Sequence, residues 1–178
     1  MDNKEQEIMS LKVHNSRDDS TEFQQVKPRT QNKRSEDRSK TNTHSNKLQV
    51  TIIGTSNTNG IQCQKLSSRY RTDKILAYTI AATQTEIQKL TTIPDVLVIH
   101  SITNDIKKLT PSECVTKMSD LIAFTTEKFP KTKIIISLPI PRSDNYSCNN
   151  NAQLVSVMLK EKFDQSEETQ ISVCDNSN

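Results

Sequence analysis

Residues 48–60, LQVTIIGTSNTNG, combine an apolar run with a polar loop that contains glycine. Leu48 to Ile53 is a short, largely β-branched run that ends at Gly54, a pattern typical of a buried strand. The loop that follows holds both glycines of the chain, and glycine permits sharp turns and close backbone approach. The dinucleotide and P-loop glycine patterns are absent, so this is not a phosphate-binding loop. Local evidence alone favours a strand-to-helix turn rich in capping residues over a functional loop.

Apolar strands alternate with helical patterns along the rest of the chain. Returning to a parallel neighbour after each strand requires a helical crossover, so the alternation indicates a parallel sheet covered on both faces. We therefore predict a three-layer α/β/α fold with a five-stranded parallel, flavodoxin-like sheet. The predicted strands are residues 48–53, 74–79, 96–99, 133–138 and 170–174, and the predicted helices are residues 61–70, 81–90, 111–129 and 153–163.

Residues 1–47 differ in composition from the rest of the chain, because nearly all of their side chains are charged or polar. Such a segment buries too little apolar surface to offset the entropy of ordering it. We expect a disordered polar and basic tail, followed by one domain over residues 48–178. The most basic run, from Lys27 to Lys40, has no interleaved aromatic residues, so a solvated linker is favoured over a nucleic-acid contact. The net charge of +3 indicates no particular partner.

The four cysteines are widely spaced and form no CxxC or Cys/His pattern. Free thiols in a reducing compartment are the simplest interpretation, and neither a metal site nor a cofactor is expected. The N-terminal residues contain no apolar segment of the kind found in signal peptides, and no apolar run is long enough to span a membrane. We expect an intracellular, cytoplasmic protein, and the oligomeric state stays open.

Polar residues follow the predicted strands at their carboxyl ends, where parallel α/β folds collect reactive groups. The loops to examine are residues 54–60, 101–110 and 139–150. Asn104-Asp105, taken alone, is typical of an ordinary turn or helix cap. Because two such polar loops follow the first and the third strand, a functional interpretation is better supported than it is for either loop alone.

VTIIGTSNTNG, residues 50–60, resembles the GDS block of the SGNH (GDSL-type) hydrolases, and DVLVIHSITND, residues 95–105, resembles their block with the pattern GxND. KIIISLPIPR, residues 133–142, followed by Ser143-Asp144, is similar to their fourth-strand segment. The resemblance implies that Ser56 occupies the nucleophile position, and that its N–H and the Asn104 side chain serve as oxyanion donors. Gly54, Thr55, Asn57 and Arg142 are the further candidates for contact with a small ester-like ligand.

The departures from that family matter more than the agreement. Thr55 replaces the aspartate of GDS, and no glycine follows Gly60 for the later blocks. The last block, DxxH, is absent up to Asn178, and no histidine follows His100. A serine needs an adjacent base to act as a nucleophile, and losing that base costs about a million-fold in turnover. At the end of its strand, His100 is expected to be a hydrogen-bonded packing residue, so neither a catalytic histidine nor a catalytic aspartate is identified.

We therefore expect a domain that is similar to the serine esterases of the SGNH group but inactive, because the block with the catalytic histidine is missing from the sequence. A DxxH segment beyond Asn178 would restore the enzyme. The alternatives are a non-catalytic module that binds a ligand or a partner, and an esterase-like protein of the kind associated with non-LTR retrotransposons. In the last case the basic tail would contact nucleic acid.

Overall fold

The computed structural model describes residues 47–164 and 169–176. The tail predicted for residues 1–47, with its basic run from Lys27 to Lys40, lies outside the described residues except for Lys47. The strands are β1 (Leu48–Gly54), β2 (Tyr70–Leu76), β3 (Val96–His100), β4 (Lys133–Ser137) and β5 (Ile171–Cys174). The helices are α1 (Cys63–Leu66), α2 (Ile80–Lys89), α3 (Pro111–Lys128) and α4 (Tyr146–Asp164), with 3-10 helices at Ser56–Thr58 and Ile102–Lys107.

The five strands form one parallel sheet in the order β2-β1-β3-β4-β5. This is the flavodoxin-like order, and the predicted fold class is confirmed. The chain steps one way across the sheet from β1 to β2 and the other way through β3, β4 and β5. Right-handed crossovers therefore place the β1–β2 connection on one face and helices α2 to α4 on the other. In agreement with this placement, α3 packs against both α2 and α4.

The hydrophobic core lies between the sheet and helices α2 to α4. Ile53, Ile99 and Ile136 are neighbours in adjacent strands, so their side chains project from the same face. All three are fully buried, together with Leu121 of α3 and Leu159 of α4. Burying an isoleucine or leucine side chain stabilises the fold by about 1.5–3 kcal/mol, so this layer anchors the strand ends at which the loops begin.

The largest differences from the sequence prediction are at α1, at β2 and at the start of α4, and β2 shows one reason for them. The predicted helix over residues 61–70 is reduced to the four residues of α1, and β2 begins at Tyr70 rather than at residue 74. Because β2 is an edge strand, it pairs with β1 alone, and Arg71 and Asp73 are exposed along it. An edge strand of this kind carries no continuous apolar run for a sequence pattern to detect.

Helix α4 begins seven residues earlier than predicted, at Tyr146 instead of residue 153. Its first two turns are mostly polar, with asparagine at residues 149 to 151, so they carry no apolar periodicity. The Asn145 side chain accepts a hydrogen bond from the Cys148 N–H at 2.9 Å, which satisfies one of the unpaired donors of the first turn. The predicted start of α3 at Pro111 is confirmed, with a capping box between Thr110 and Glu113.

Within the described ranges, no helix is both long and apolar enough to cross a membrane.

Candidate functional site

The loops that follow β1, β3 and β4 meet at the carboxyl edge of the sheet and enclose a cleft of about 480 Å³. Ser56 and Asn104, predicted from the sequence to lie near each other at this edge, both line it. The remaining lining residues are Thr55, Asn57, Thr103, Lys107, Ile140, Pro141, Arg142, Ser143 and Asp144. The predicted contacts Thr55, Asn57 and Arg142 therefore belong to the same cleft.

Ser56 is positioned by a tightly bonded turn at the end of β1. The Thr55 N–H donates to the His100 carbonyl oxygen at 3.1 Å, which ties the turn to the end of β3. The Thr58 N–H and hydroxyl both donate to the Thr55 carbonyl oxygen, at 3.0 and 2.8 Å. Ser56 is exposed and opens the 3-10 helix Ser56–Thr58, so its N–H has no acceptor within that helix. The turn therefore presents a serine hydroxyl and a main-chain donor at the cleft.

Gly54 supports this turn by leaving space for it. A Cβ at this position would collide with the Thr58 methyl group and lie 3.2 Å from the His100 carbonyl oxygen. Gly54 is not among the residues that line the cleft in the described part of the chain. Its place in the structure is therefore that of a packing residue of the turn, and its contact with a ligand stays a prediction from the sequence. Gly60 has open space around it and carries no comparable constraint.

The loop after β3 is held by side-chain hydrogen bonds to the β2–α2 connection. The Asn104 Nδ2 donates to the Tyr78 carbonyl oxygen at 2.9 Å, and Asp105 Oδ2 accepts from the Ile80 N–H at 2.9 Å. Asp105 thus caps α2, and partial burial raises the pKa of its carboxyl while the Ile80 bond opposes that rise. An amide group has two N–H donors, so Asn104 keeps one beyond the Tyr78 bond.

Arg142 and Asp144 form a bidentate ion pair at the third side of the cleft. Nη2 lies 2.5 Å from Oδ2, and Nε donates to Oδ1 at 2.8 Å. These bonds lower the pKa of Asp144 to about 2. The guanidinium predicted to hold an anionic ligand is thus already paired with a carboxylate. Lys107 also lines the cleft, although it was not predicted from the sequence. It lies three residues after Asn104 on the 3-10 helix Ile102–Lys107, and the sequence pattern did not predict that helix.

His100 is the histidine of the described residues, and it lies outside the lining of the cleft. Its ring is buried, with Nδ1 3.0 Å from the Ser137 hydroxyl, and Nε2 has no hydrogen-bond partner within the described ranges. Burial lowers the pKa of His100, so the ring is neutral at pH 7. Ser137 also accepts from the Asn176 side chain at 2.9 Å. His100 is a hydrogen-bonded interior residue, and no described imidazole lines the cleft beside Ser56.

The cysteines offer no alternative nucleophile in this cleft. None of the four lines it, and all four are free thiols. Burial raises the pKa of Cys114 to about 11, which keeps that thiol protonated. Over residues 47–164 and 169–176, no three His, Cys, Asp or Glu side chains cluster as a metal site would require.

Solved structures share this arrangement of sheet and helices. A member of the lipolytic G-D-S-L family from Veillonella parvula superposes with a TM-score of 0.58 at 18% identity, covering 73% of this chain and 78% of that one. A carbohydrate esterase of family 3 from Talaromyces cellulolyticus gives 0.55 at 13%, covering 73% and 79%. The fold is that of the SGNH (GDSL-type) hydrolases.

A GDSL-like lipase candidate from Bacteroides ovatus also shares the SGNH fold, with a TM-score of 0.57 at 14% identity. The match covers 74% of this chain but only 43% of the length of that protein. No protein-family profile matches the chain, and no curated protein does. At these identities the likeness to SGNH hydrolases concerns the fold, and the chemistry has to be argued from the cleft itself.

Proposed function

We propose that the cleft binds a small ligand through an ester, acyl or carboxylate oxygen, and that this chain does not turn such a ligand over through Ser56. One observation carries the proposal: Ser56 and Asn104 line one cleft, whereas His100 is buried, bonded to Ser137 and outside the lining. The alternative of an active serine esterase requires a base beside Ser56, and the described residues supply none from an imidazole.

The donors around the cleft support binding of an oxygen-bearing group. Ser56 and Asn104 both line the cleft, the Ser56 N–H has no acceptor within its 3-10 helix, and the Asn104 amide has a second N–H beyond the Tyr78 bond. The hydroxyls of Thr55 and Thr103 are buried and have no partner within the described part of the chain. Buried polar groups usually find a partner, so a polar ligand or a bridging water is favoured close to them.

A comparison of two effects on the rate of hydrolysis favours binding over turnover. One fixed oxyanion donor is worth about 100- to 1,000-fold in rate. Loss of the base or nucleophile in a serine hydrolase costs about a million-fold, and what remains does not depend on the serine. The missing base therefore outweighs the donors that are present. A cleft of this kind polarises a carbonyl group without cleaving it through a covalent intermediate.

Hydrolysis of p-nitrophenyl acetate by the 178-residue chain tests the second half of the proposal. The wild type and Ser56→Ala should give the same slow rate, within about twofold, because no described imidazole lines the cleft to activate the hydroxyl. Ser68→Ala, an exposed serine away from the cleft, serves as the matched control. A rate that falls at least tenfold in Ser56→Ala and not in Ser68→Ala would refute the proposal.

Binding is tested separately by titrating acetate and following backbone amide signals by NMR. We expect the largest shifts at Ser56, Asn57 and Asn104. Asn104→Ala should weaken binding by about threefold to tenfold, since it removes one hydrogen bond worth about 0.5–1.5 kcal/mol. The control is Asn150→Ala, an exposed residue of α4 outside the cleft. Equal effects of the two variants would place the ligand elsewhere.

Two further candidate functions stay predictions from the sequence. A partner-binding module would use the same cleft without a small ligand, and the titration separates it from the proposal. A nucleic-acid contact through the run from Lys27 to Lys40 concerns residues outside the described ranges. Its signature would be an affinity that falls steeply with salt concentration.

A further inference from the structure

Strand β2 is the edge strand of the sheet next to β1. All seven residues pair with β1, from Tyr70 opposite Leu48 to Leu76 opposite Gly54. The other side of β2 pairs with no strand among the described residues. Such an edge presents a row of backbone N–H and C=O groups that another strand can satisfy. The side chains along β2 then decide which strand fits.

The charges of β2 alternate in sign on one face. Arg71 and Asp73 lie two residues apart, so they project from the same face of the sheet. Their side chains are 72% and 55% exposed and lie 3.8 Å apart at the closest ion-pair atoms. Lys74 belongs to the opposite face, with Tyr70 and Thr72. A strand of this pattern is complementary to its own reverse.

We propose that β2 is a self-association edge at which a second copy of this chain adds its own β2 antiparallel, forming a continuous ten-stranded sheet about a two-fold axis at Thr72. In this register Arg71 faces Asp73 of the second copy, and Asp73 faces its Arg71. Thr72 faces Thr72, a pairing that favours a hydrogen bond. The Tyr70 ring faces the stem of the second copy's Lys74, whose ammonium group is turned toward the Asn59 and Ile61 carbonyl oxygens.

The neighbouring registers are unfavourable, and this selects one pairing. A two-fold axis normal to the sheet keeps each side chain on its own face of the sheet. The alternative registers therefore differ in which residue of β2 lies on this axis. An axis at Arg71 places two arginines opposite each other, one at Asp73 places two aspartates, and one at Lys74 places two lysines. Like charges directly opposite each other are destabilising. Only the axis at Thr72 converts all of these contacts into attractive ones.

The contact is small, which determines the strength to expect. Five residues of each copy, from Tyr70 to Lys74, pair through about four to six backbone hydrogen bonds. That contact buries far less than the roughly 1,200 Å² of a stable interface. We expect reversible association with a dissociation constant between about 10 µM and 1 mM. The cross-strand charge pairs are exposed, so high salt weakens the association.

Sedimentation velocity of the full chain, from about 10 µM to 1 mM at low ionic strength, tests the proposal. The wild type should dimerise with rising concentration. Arg71→Glu and Asp73→Lys should each weaken the dimer at least tenfold, because each places like charges opposite each other. Lys131→Glu, an exposed charge change away from β2, is the control and should leave the association unchanged.

Mixing the two variants separates a surface effect from a folding defect. In an equimolar mixture Glu at residue 71 of one copy faces Lys at residue 73 of the other, and Asp73 faces Arg71. Both pairs are attractive, so the mixed dimer should regain the affinity of the wild type within about threefold. Three results would overturn the proposal: a wild type monomeric throughout, self-association unchanged by Arg71→Glu and Asp73→Lys, or a mixture no stronger than either variant alone.

Discussion

Gly54→Ala tests how the turn that carries Ser56 is built. The added methyl group would collide with the methyl of Thr58 and lie 3.1 Å from its hydroxyl oxygen. Thr58 is buried, and its hydroxyl donates to the Thr55 carbonyl oxygen at 2.8 Å, so its side chain cannot turn away without breaking that bond. Overpacking costs about 1–3 kcal/mol, and the lost hydrogen bond adds about 0.5–1.5 kcal/mol. We expect a loss of about 1.5–4.5 kcal/mol in the free energy of unfolding.

Urea denaturation followed by circular dichroism measures this loss, and a double-mutant cycle assigns its cause. Thr58→Ser removes the colliding methyl group and keeps the hydroxyl. The double variant should therefore be at least about 1 kcal/mol more stable than the sum of the two single changes predicts. Gly60→Ala, at a glycine with no neighbouring atom within 4 Å of the added carbon, should stay within about 0.5 kcal/mol of the wild type. Additive effects of Gly54→Ala and Thr58→Ser, or a loss no larger than that of Gly60→Ala, would show that the Thr58 methyl group does not exclude a side chain at residue 54.

Three further predictions concern other parts of the described domain. Thr110→Ala removes the cap of α3 and should cost about 0.5–2 kcal/mol in urea denaturation, whereas an unchanged midpoint would contradict the capping box. Because burial lowers the pKa of His100 in the folded protein, stability should be full above about pH 6.5 and fall as the pH drops below it. His100→Gln should flatten that part of the pH–stability curve, and an equally steep curve would exclude His100 as the cause. NMR titration should find the pKa of Asp144 at about 2, rising toward about 3.9 in Arg142→Gln, and an unchanged value would show that the ion pair is not formed in solution.

The central part of the fold was predictable from the sequence because its strands are apolar runs rich in β-branched residues. β1, β3 and β4 are short apolar runs, and their observed bounds differ from the predicted ones by a residue. β2 was placed four residues too late, because the exposed charges Arg71 and Asp73 break the apolar pattern of an edge strand. The start of α4 was missed because its first turns are mostly polar and carry no apolar periodicity.

The candidate site was predictable only in its outline. The meeting of Ser56 and Asn104 in one cleft follows from topology, since parallel strands bring their carboxyl ends to one edge. The partners of individual side chains depend on tertiary distances that no sequence pattern carries. Examples are the Asn104 bond to the Tyr78 carbonyl oxygen and the ion pair that occupies Arg142.

Ser56 lines the cleft of an SGNH-type fold, and no imidazole of the described residues lies beside it. Incubation of the full chain with a fluorophosphonate probe, followed by peptide mass spectrometry, tests whether Ser56 is activated, because such probes form a covalent bond only with an activated serine. The expected result is no adduct on Ser56, and the same trace labelling in the wild type and in Ser56→Ala. A stoichiometric adduct on Ser56 that is lost in Ser56→Ala would contradict it.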